Sequence, residues 1–288
     1  MTDLAELILS GLVSGLIIGL AALAISLVFG IARFPNAATG DVMTLGAYAA
    51  LGGAGAGGSI LIGGLAGALA GAGAGFLSYL LVFRKVAGRS SVAGLLASIG
   101  VAFVLRAGLG VAFGHQQKVF QLPLVRPWRV FDIRIHPTDL WLSAVAVATL
   151  ALVFALLHLT PIGRQMRAVA DDPALARVSG IAPGRVMSVL WLTAGAVSGI
   201  AGVLIGIKTV VAPEMGWELL LPAFAAAILG GIGHPVGAVV AGVLLGIVQE
   251  LATPVVGFTY KIALAFIVLL AVLLIRPRGL FGIHAGAR

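Results

Sequence analysis

Few side chains in this sequence could make or break bonds. It has no cysteine, which excludes disulfides, thiolate chemistry and Cys-ligated metals. His115, His136, His158, His234 and His284 are scattered and lack metal-ligand spacing. No GxxxxGK[ST] phosphate loop occurs, so ATP is not bound in that way. Asp171-Asp172 is the one adjacent acidic pair that suggests metal chemistry, of the kind membrane prenyltransferases use. It lacks a second acidic cluster, and a helix N-cap accounts for Asp172. The chain reads as a non-enzyme.

Polar residues amid apolar sequence are the alternative source of function. Asn36, Thr39 and Asp41 flank the start of a short helix, where backbone N–H groups lack partners and the dipole is positive. They either cap that helix or line a hydrophilic cavity, since irregular backbone at membrane depth must face protein or water. Arg106, Glu250 and Lys261 lie within or close to apolar runs, where charges tend to pair or snorkel.

Pro161 to Arg185 is the most conspicuous water-soluble run, with Arg164, Arg167, Arg177, Arg185, Asp171 and Asp172 between strongly apolar flanks. Pro161 and Gly163 are expected to stop the preceding helix, and Pro183-Gly184 to precede the next. Between them, Arg164–Ala170 and Pro173–Val178 read as two short helices, with Asp172 and Pro173 as cap and first position. Such a run is either a platform for a soluble partner or a basic loop of ordinary membrane topology.

These residues must be held by membrane helices. Of the 288 residues, 60% are hydrophobic and 10% charged, whereas soluble domains carry about 25% charged residues. The 41 glycines suit helices packed closely in lipid. A net charge of +8 comes from basic residues between apolar spans, so topology explains it better than nucleic-acid binding. Met1–Ser10 has neither a basic n-region nor a cleavage site, and the first apolar run is expected to be a retained span.

Leu7–Phe29 is long enough to cross a bilayer, and Gly11, Gly15 and Gly19 smooth one of its faces. After Arg33-Phe34-Pro35-Asn36, a shorter piece, Asp41–Leu51, ends in the Gly-rich GGAGAGG. Ile60–Phe83 carries the ridge Gly63, Gly67, Gly71 and Gly75, a helix-packing signal. Val92–Phe113 follows the basic loop of Arg84, Lys85 and Arg89. The polar insertion His115–Asp139 leads to Leu140–Leu159 and the charged run. Val186–Ile207, a short Trp217–Leu229 interrupted by Pro222, Val236–Ala252 and Ile262–Ile275 complete the set before the tail Arg276–Arg288. The expected fold is all-α and polytopic, with about eight or nine membrane segments including short or broken ones.

With nine crossings the termini lie on opposite sides. Placing the charged run inside puts most of the 18 Lys and Arg residues there: Arg33, the loop at 84–89, the run itself, and Arg276, Arg278 and Arg288 of the tail. The N-terminus with Asp3 and Glu6 is then outside. The insertion at 115–139, with Lys118, Arg126, Arg129 and Arg134, runs against the rule. Each half has a long helix, a short interrupted one and two more spans, with Leu140–Leu159 as the link. That pattern suggests an inverted repeat, whose broken segments, Pro35–Leu51 and Pro213–Gly233, would point to a transport pathway.

Three stretches in order, Phe29–Tyr48 (FGIARFPNAATGDVMTLGAY), Gly163–Ile181 (GRQMRAVADDPALARVSGI) and Leu229–Gly242 (LGGIGHPVGAVVAG), resemble the branched-chain amino acid ABC transporter permeases, as does the tail RPRGLFG. The resemblance spans nearly the whole chain and is closest to the shorter, H-type subunit. It implies one transmembrane permease domain over 1–288 in a bacterial inner membrane, with 160–185 as a cytoplasmic coupling loop and 115–139 as a periplasmic one. Its implied partners are a second homologous permease, two cytoplasmic ATPases carrying the ATP and Mg, a periplasmic solute-binding protein and membrane lipid. No cofactor is implied in this chain. Gly163, Arg164, Arg167, Ala168, Asp171, Asp172, Ala176 and Gly180 match the ATPase-coupling segment. Asn36, Thr39, Gly40, Asp41, Gly230 and Gly231 match the substrate path. Thr39 stands where the family usually has a histidine (Asn-Phe-Ala-His-Gly), and related permeases serve urea and short amides. A stand-alone secondary transporter or channel is the rival expectation, against which stand the coupling segment and the lack of a carboxylate ladder.

Overall fold

The computed structural model describes residues 2–121, 126–130, 133–257, 260–276 and 279–281. The tail residues Arg278, His284 and Arg288 lie outside the described residues. The helices are α1 (Thr2–Ala32), α2 (Ala38–Gly57), α3 (Ile60–Ser78), α4 (Arg84–Val86), α5 (Ser91–Phe113), α6 (Pro137–Leu159), α7 (Pro161–Asp171), α8 (Pro173–Val178), α9 (Pro183–Lys208), α10 (Met215–Gly230), α11 (Pro235–Val256) and α12 (Lys261–Ile275). A π-helical turn, Tyr79–Phe83, joins α3 to α4. Within the insertion, β1 (Trp128–Val130) and β2 (Ile133–Ile135) form a small antiparallel hairpin. Among the described residues six helices are long and apolar enough to cross a membrane, and α10 and α12 are shorter apolar helices.

Glycine ridges set the packing. A Cβ at Gly15 would stand 2.7 Å from the Val243 Cα, so α1 lies directly on the backbone of α11, where Gly242 and Gly246 reciprocate. On α3, the ridge Gly63, Gly67, Gly71 and Gly75 is the buried face. A Cβ at Gly67 would meet the Gly46 carbonyl oxygen of α2 at 2.7 Å, and one at Gly71 the Gly199 Cα of α9 at 2.8 Å. Backbones this close exclude side chains and maximise dispersion contact, the driving term where lipid is as apolar as the helix. The expectation of a packing ridge therefore holds.

Two expected interruptions are absent. The Gly-rich run after Leu51 stays helical to Gly57, and the turn falls at Gly58, whose φ of 63° is left-handed. Packing overrides the low helix propensity of glycine here: a Cβ at Gly53 would stand 2.8 Å from that of Ala66 on α3. Pro222 likewise sits inside a continuous α10. Irregular backbone instead precedes each helix, at 33–37 and 209–214.

An inverted repeat is visible in the packing. Helices α1, α2, α3 and α5 correspond to α9, α10, α11 and α12, with α6 between the sets. Gly15 of α1 lies on Gly246 of α11; in matching fashion Gly199 of α9 lies on Gly71 of α3. The equivalent helices α2 and α10 cross at Gly40 and Gly216, each glycine against the other's backbone, which locates the pseudo-two-fold axis. Direction reverses between the sets. The end of α9 returns to the start of α1, where Lys208 Nζ donates to Ser14 Oγ at 2.7 Å.

Polar groups separate onto two faces. Glu6 accepts from the Arg134 N–H at 2.8 Å, and Lys118 pairs with Val211 in an isolated bridge, so the insertion shares a face with the N-terminus. Arg33, the 84–91 turn, α7 and α8 share the opposite face, together with Leu280 and Phe281, whose N–H groups donate to the Leu229 and Gly230 carbonyls.

Candidate translocation path and coupling platform

The start of α2 is built from its own side chains. Asn36 Oδ1 accepts from the Ala38 N–H at 3.1 Å, and Thr39 Oγ1 donates to the Asn36 carbonyl at 2.9 Å. Ser98 Oγ on α5 accepts from the Ala37 N–H at 3.0 Å. Asn36 thus satisfies an N–H at the start of α2, whereas Thr39 donates to a carbonyl, and both are buried. They also line, with Trp191 and Ser198, a void of about 10 Å³, room for roughly one water.

Asp41 has a different task. Its carboxylate takes two hydrogen bonds from Arg106 of α5, Nε to Oδ1 at 2.9 Å and Nη2 to Oδ2 at 3.2 Å. The Asp41 side chain is fully buried while that of Arg106 is 22% exposed. The guanidinium also lies over the Trp217 ring at 4.9 Å and the Phe103 ring at 5.7 Å. Fork-to-carboxylate geometry with aromatic cover is what allows a charge pair at this depth. Beside it, Thr44 Oγ1 accepts from the Gly216 N–H at 3.1 Å, so α2 supplies a partner to an N–H at the start of α10. Further along the chain, Lys261 Nζ pairs with Glu250 Oε2 at 2.8 Å.

Not all the expected path residues meet. Gly40 faces Gly216, where a Cβ would stand 2.6 Å from the Gly216 carbonyl oxygen. Gly230 and Gly231 lie at the other end of α10, about 20 Å away by helix rise. Gly230 packs on Gly237, and Gly231 has the positive φ of 101° that turns the chain into α11. Their immediate role is that turn.

The platform is a helix pair. The preceding helix stops before Pro161 as expected, but Pro161 also opens α7 and Gly163 lies within it, with Thr160 Oγ1 accepting from the Gly163 N–H at 3.3 Å. Asp172 caps α8 as expected, its Oδ1 accepting from the Ala174 and Leu175 N–H groups at 2.8 and 3.1 Å. Gly163, Met166, Val169 and Ala176 are buried against the transmembrane helices; Ala168 is half-buried. Gly180, with φ 82°, closes α8. Arg164, Arg167, Asp171, Asp172 and Arg177 are exposed, as are Leu175 at 64% and Val178 at 87%. Arg167 and Asp171 share a helix face, yet Arg167 Nη1 donates to the Leu157 carbonyl at 2.6 Å, tying α7 to the end of α6.

Arg33 is the platform residue that sequence reasoning missed. Its Nη2 donates to the Ala170 and Asp171 carbonyls at 2.8 and 3.3 Å, capping α7. Its own carbonyl accepts from Ser91 Oγ at 2.9 Å, and its φ is 59°. One residue therefore links α7 to the α1–α2 junction and the start of α5. Among the described residues no cluster of three or more His, Asp or Glu could hold a metal.

An all-helical membrane permease made of two inverted sets of helices, with a charged two-helix platform on one face, is the class these features define. The family model for the branched-chain amino acid transport system / permease component matches residues 7–275, and the chain belongs to that family. It is 28% identical to the high-affinity branched-chain amino acid transport system permease protein LivH of Salmonella typhimurium, covering 95% of this chain and 94% of the relative. It is also 28% identical to the BraD permease protein of Pseudomonas aeruginosa, covering 95% of each. Among solved structures, PsaBC from Streptococcus pneumoniae in complex with Fab aligns with a TM-score of 0.50 over 93% of this chain and 91% of that one. At 15% identity this is a likeness of fold alone.

Proposed function

We propose that this chain is the transmembrane permease subunit of an ATP-driven importer for branched-chain amino acids or a related small polar solute. It forms the translocation path with a second homologous permease in a bacterial inner membrane. Two cytoplasmic ATPases, which hold the ATP and Mg, drive transport, and a periplasmic binding protein delivers the solute. In this orientation the N-terminus is periplasmic and the platform and C-terminus are cytoplasmic.

The observation that carries the reading is the exposed α7–α8 surface fastened to the core by Arg33. Leu175 and Val178 offer apolar contact, flanked by Arg164 and Arg177, a composition suited to docking a soluble partner. Displacement of α7 by closing ATPases reaches α6 through Arg167, and the α1–α2 junction and α5 through Arg33. From there α2 and α5 carry it to the Asp41–Arg106 level. Gly163, Ala168, Ala176 and Gly180 shape the platform, and Asp171 and Asp172 end one helix and start the other. Asn36, Thr39, Gly40 and Asp41 belong to the moving wall; Gly230 and Gly231 act as its cytoplasmic turn.

The test is uptake of radiolabelled leucine into proteoliposomes holding the four-subunit complex with its binding protein. ATP-dependent uptake is expected. Uptake by this chain alone, driven by a sodium or proton gradient and indifferent to ATP, would replace the importer with a stand-alone transporter.

A further inference from the structure

Arg106 lies seven residues from the end of α5 at Phe113, so it sits about 10 Å inside that end by helix rise. Trp217 reaches it there. The exposed stripe of α10 starts from Glu214 just before it and runs through Trp217, Glu218 and, half-exposed, Leu221, at helical spacing. Glu218 is therefore an exposed carboxylate within the transmembrane body, and it has no side-chain hydrogen bond or ion pair among the described residues. A carboxylate at such depth is costly against lipid and faces a water-filled space or a partner. Arg106 is likewise only partly spent: of its five N–H donors, Asp41 takes Nε and one on Nη2.

We infer that Arg106 and Glu218 form a recognition station for the α-amino acid zwitterion on the wall of the translocation path. This deepens the importer reading and rests on it. The remaining Arg106 donors take the solute carboxylate, and Glu218 takes its ammonium group. Trp217, in contact with the guanidinium and next in sequence to the carboxylate, spaces the two charges. Phe103, 61% exposed, and Leu221 provide apolar surface for an aliphatic side chain. Asp41 is a positioning residue: its two bonds hold the guanidinium, whose side chain stays 22% exposed. A half-buried guanidinium over the Trp217 ring and an exposed carboxylate next to Trp217 in sequence suit a zwitterion better than an anion or a cation, each of which one member would repel.

The experiment uses the assembled four-subunit complex in proteoliposomes with its binding protein and radiolabelled leucine. Glu218→Gln keeps the shape and an exposed position, so folding is not at risk. It should lower leucine uptake about tenfold or more, the worth of one hydrogen bond to a charged group, and Glu218→Asp should recover part of the rate. Size exclusion and thermal melting should match the unaltered complex. Uptake by Glu218→Gln at the unaltered rate overturns the station and leaves the importer reading intact. Loss of the second permease from the Glu218→Gln complex also overturns it, making Glu218 an intersubunit contact. If the unaltered complex takes up no zwitterionic amino acid, the amino-acid reading itself fails and the station with it.

Discussion

Asp41 and Arg106, 65 positions apart, meet through two parallel hydrogen bonds of 2.9 and 3.2 Å beside the crossing of α2 and α10. The carboxylate is wholly enclosed, and the guanidinium is the charged group paired with it. Breaking such a pair from one side leaves a stranded ion, which typically costs about 3–5 kcal/mol.

Arg106→Gln should therefore lower the melting temperature of the detergent-purified chain more than Arg106→Gln combined with Asp41→Asn. The double variant removes both charges together. Additive losses across the cycle, measured by thermal unfolding, would mean that the two side chains are not energetically coupled.

Gly67→Leu should destabilise the chain and its transport severely, because the new side chain would be driven into Gly46 and Val203. Gly64 on the same helix has open space around it, and Gly64→Leu should melt with the native protein. Equal melting temperatures for the two variants would place the ridge against lipid.

Val178→Asp and Leu175→Asp should remove the ATPases from the purified complex while leaving insertion and melting of this chain unchanged. Both side chains are largely exposed. Arg89→Glu, an exposed change on the same face, is the control and should retain the ATPases. Equal retention in all three would reduce the platform to a basic loop.

Arg33→Gly removes the guanidinium yet keeps the positive φ accessible. Hydrolysis should continue in the assembled complex while leucine uptake per ATP falls several-fold, because α7 is no longer fastened to the α1–α2 junction. An unchanged uptake-to-hydrolysis ratio would show that the motion travels by another route, such as Arg167.

The spans were legible from composition, and the glycine ridges from their four-residue spacing, because helix packing in lipid depends on local periodicity. The Asp172 cap was legible for the same reason: cap and helix are adjacent in sequence. Long-range pairings left no such trace. Nothing in the neighbourhood of Asp41 names Arg106, and Arg167 had a plausible nearby partner in Asp171 but bonds to Leu157 instead. The Gly-rich run after Leu51 read as a break because propensity is local, whereas α3 holds it helical. Glu218 was passed over because only the tertiary arrangement reveals which flank of α10 stays open.

The glycine seams also govern how the protein is made. The face of α1 that carries Gly11 and Gly15 is covered by α11, and Ser14 reaches Glu250 across 236 positions of chain. α3 likewise waits for α9. At about 5–20 residues per second of synthesis, the first helix spends on the order of 10–50 s in the bilayer before its permanent neighbour exists. Neither set of helices is a folding unit, and a nascent chain stopped before Pro235 holds an unsealed groove open to any other small-residue helix nearby.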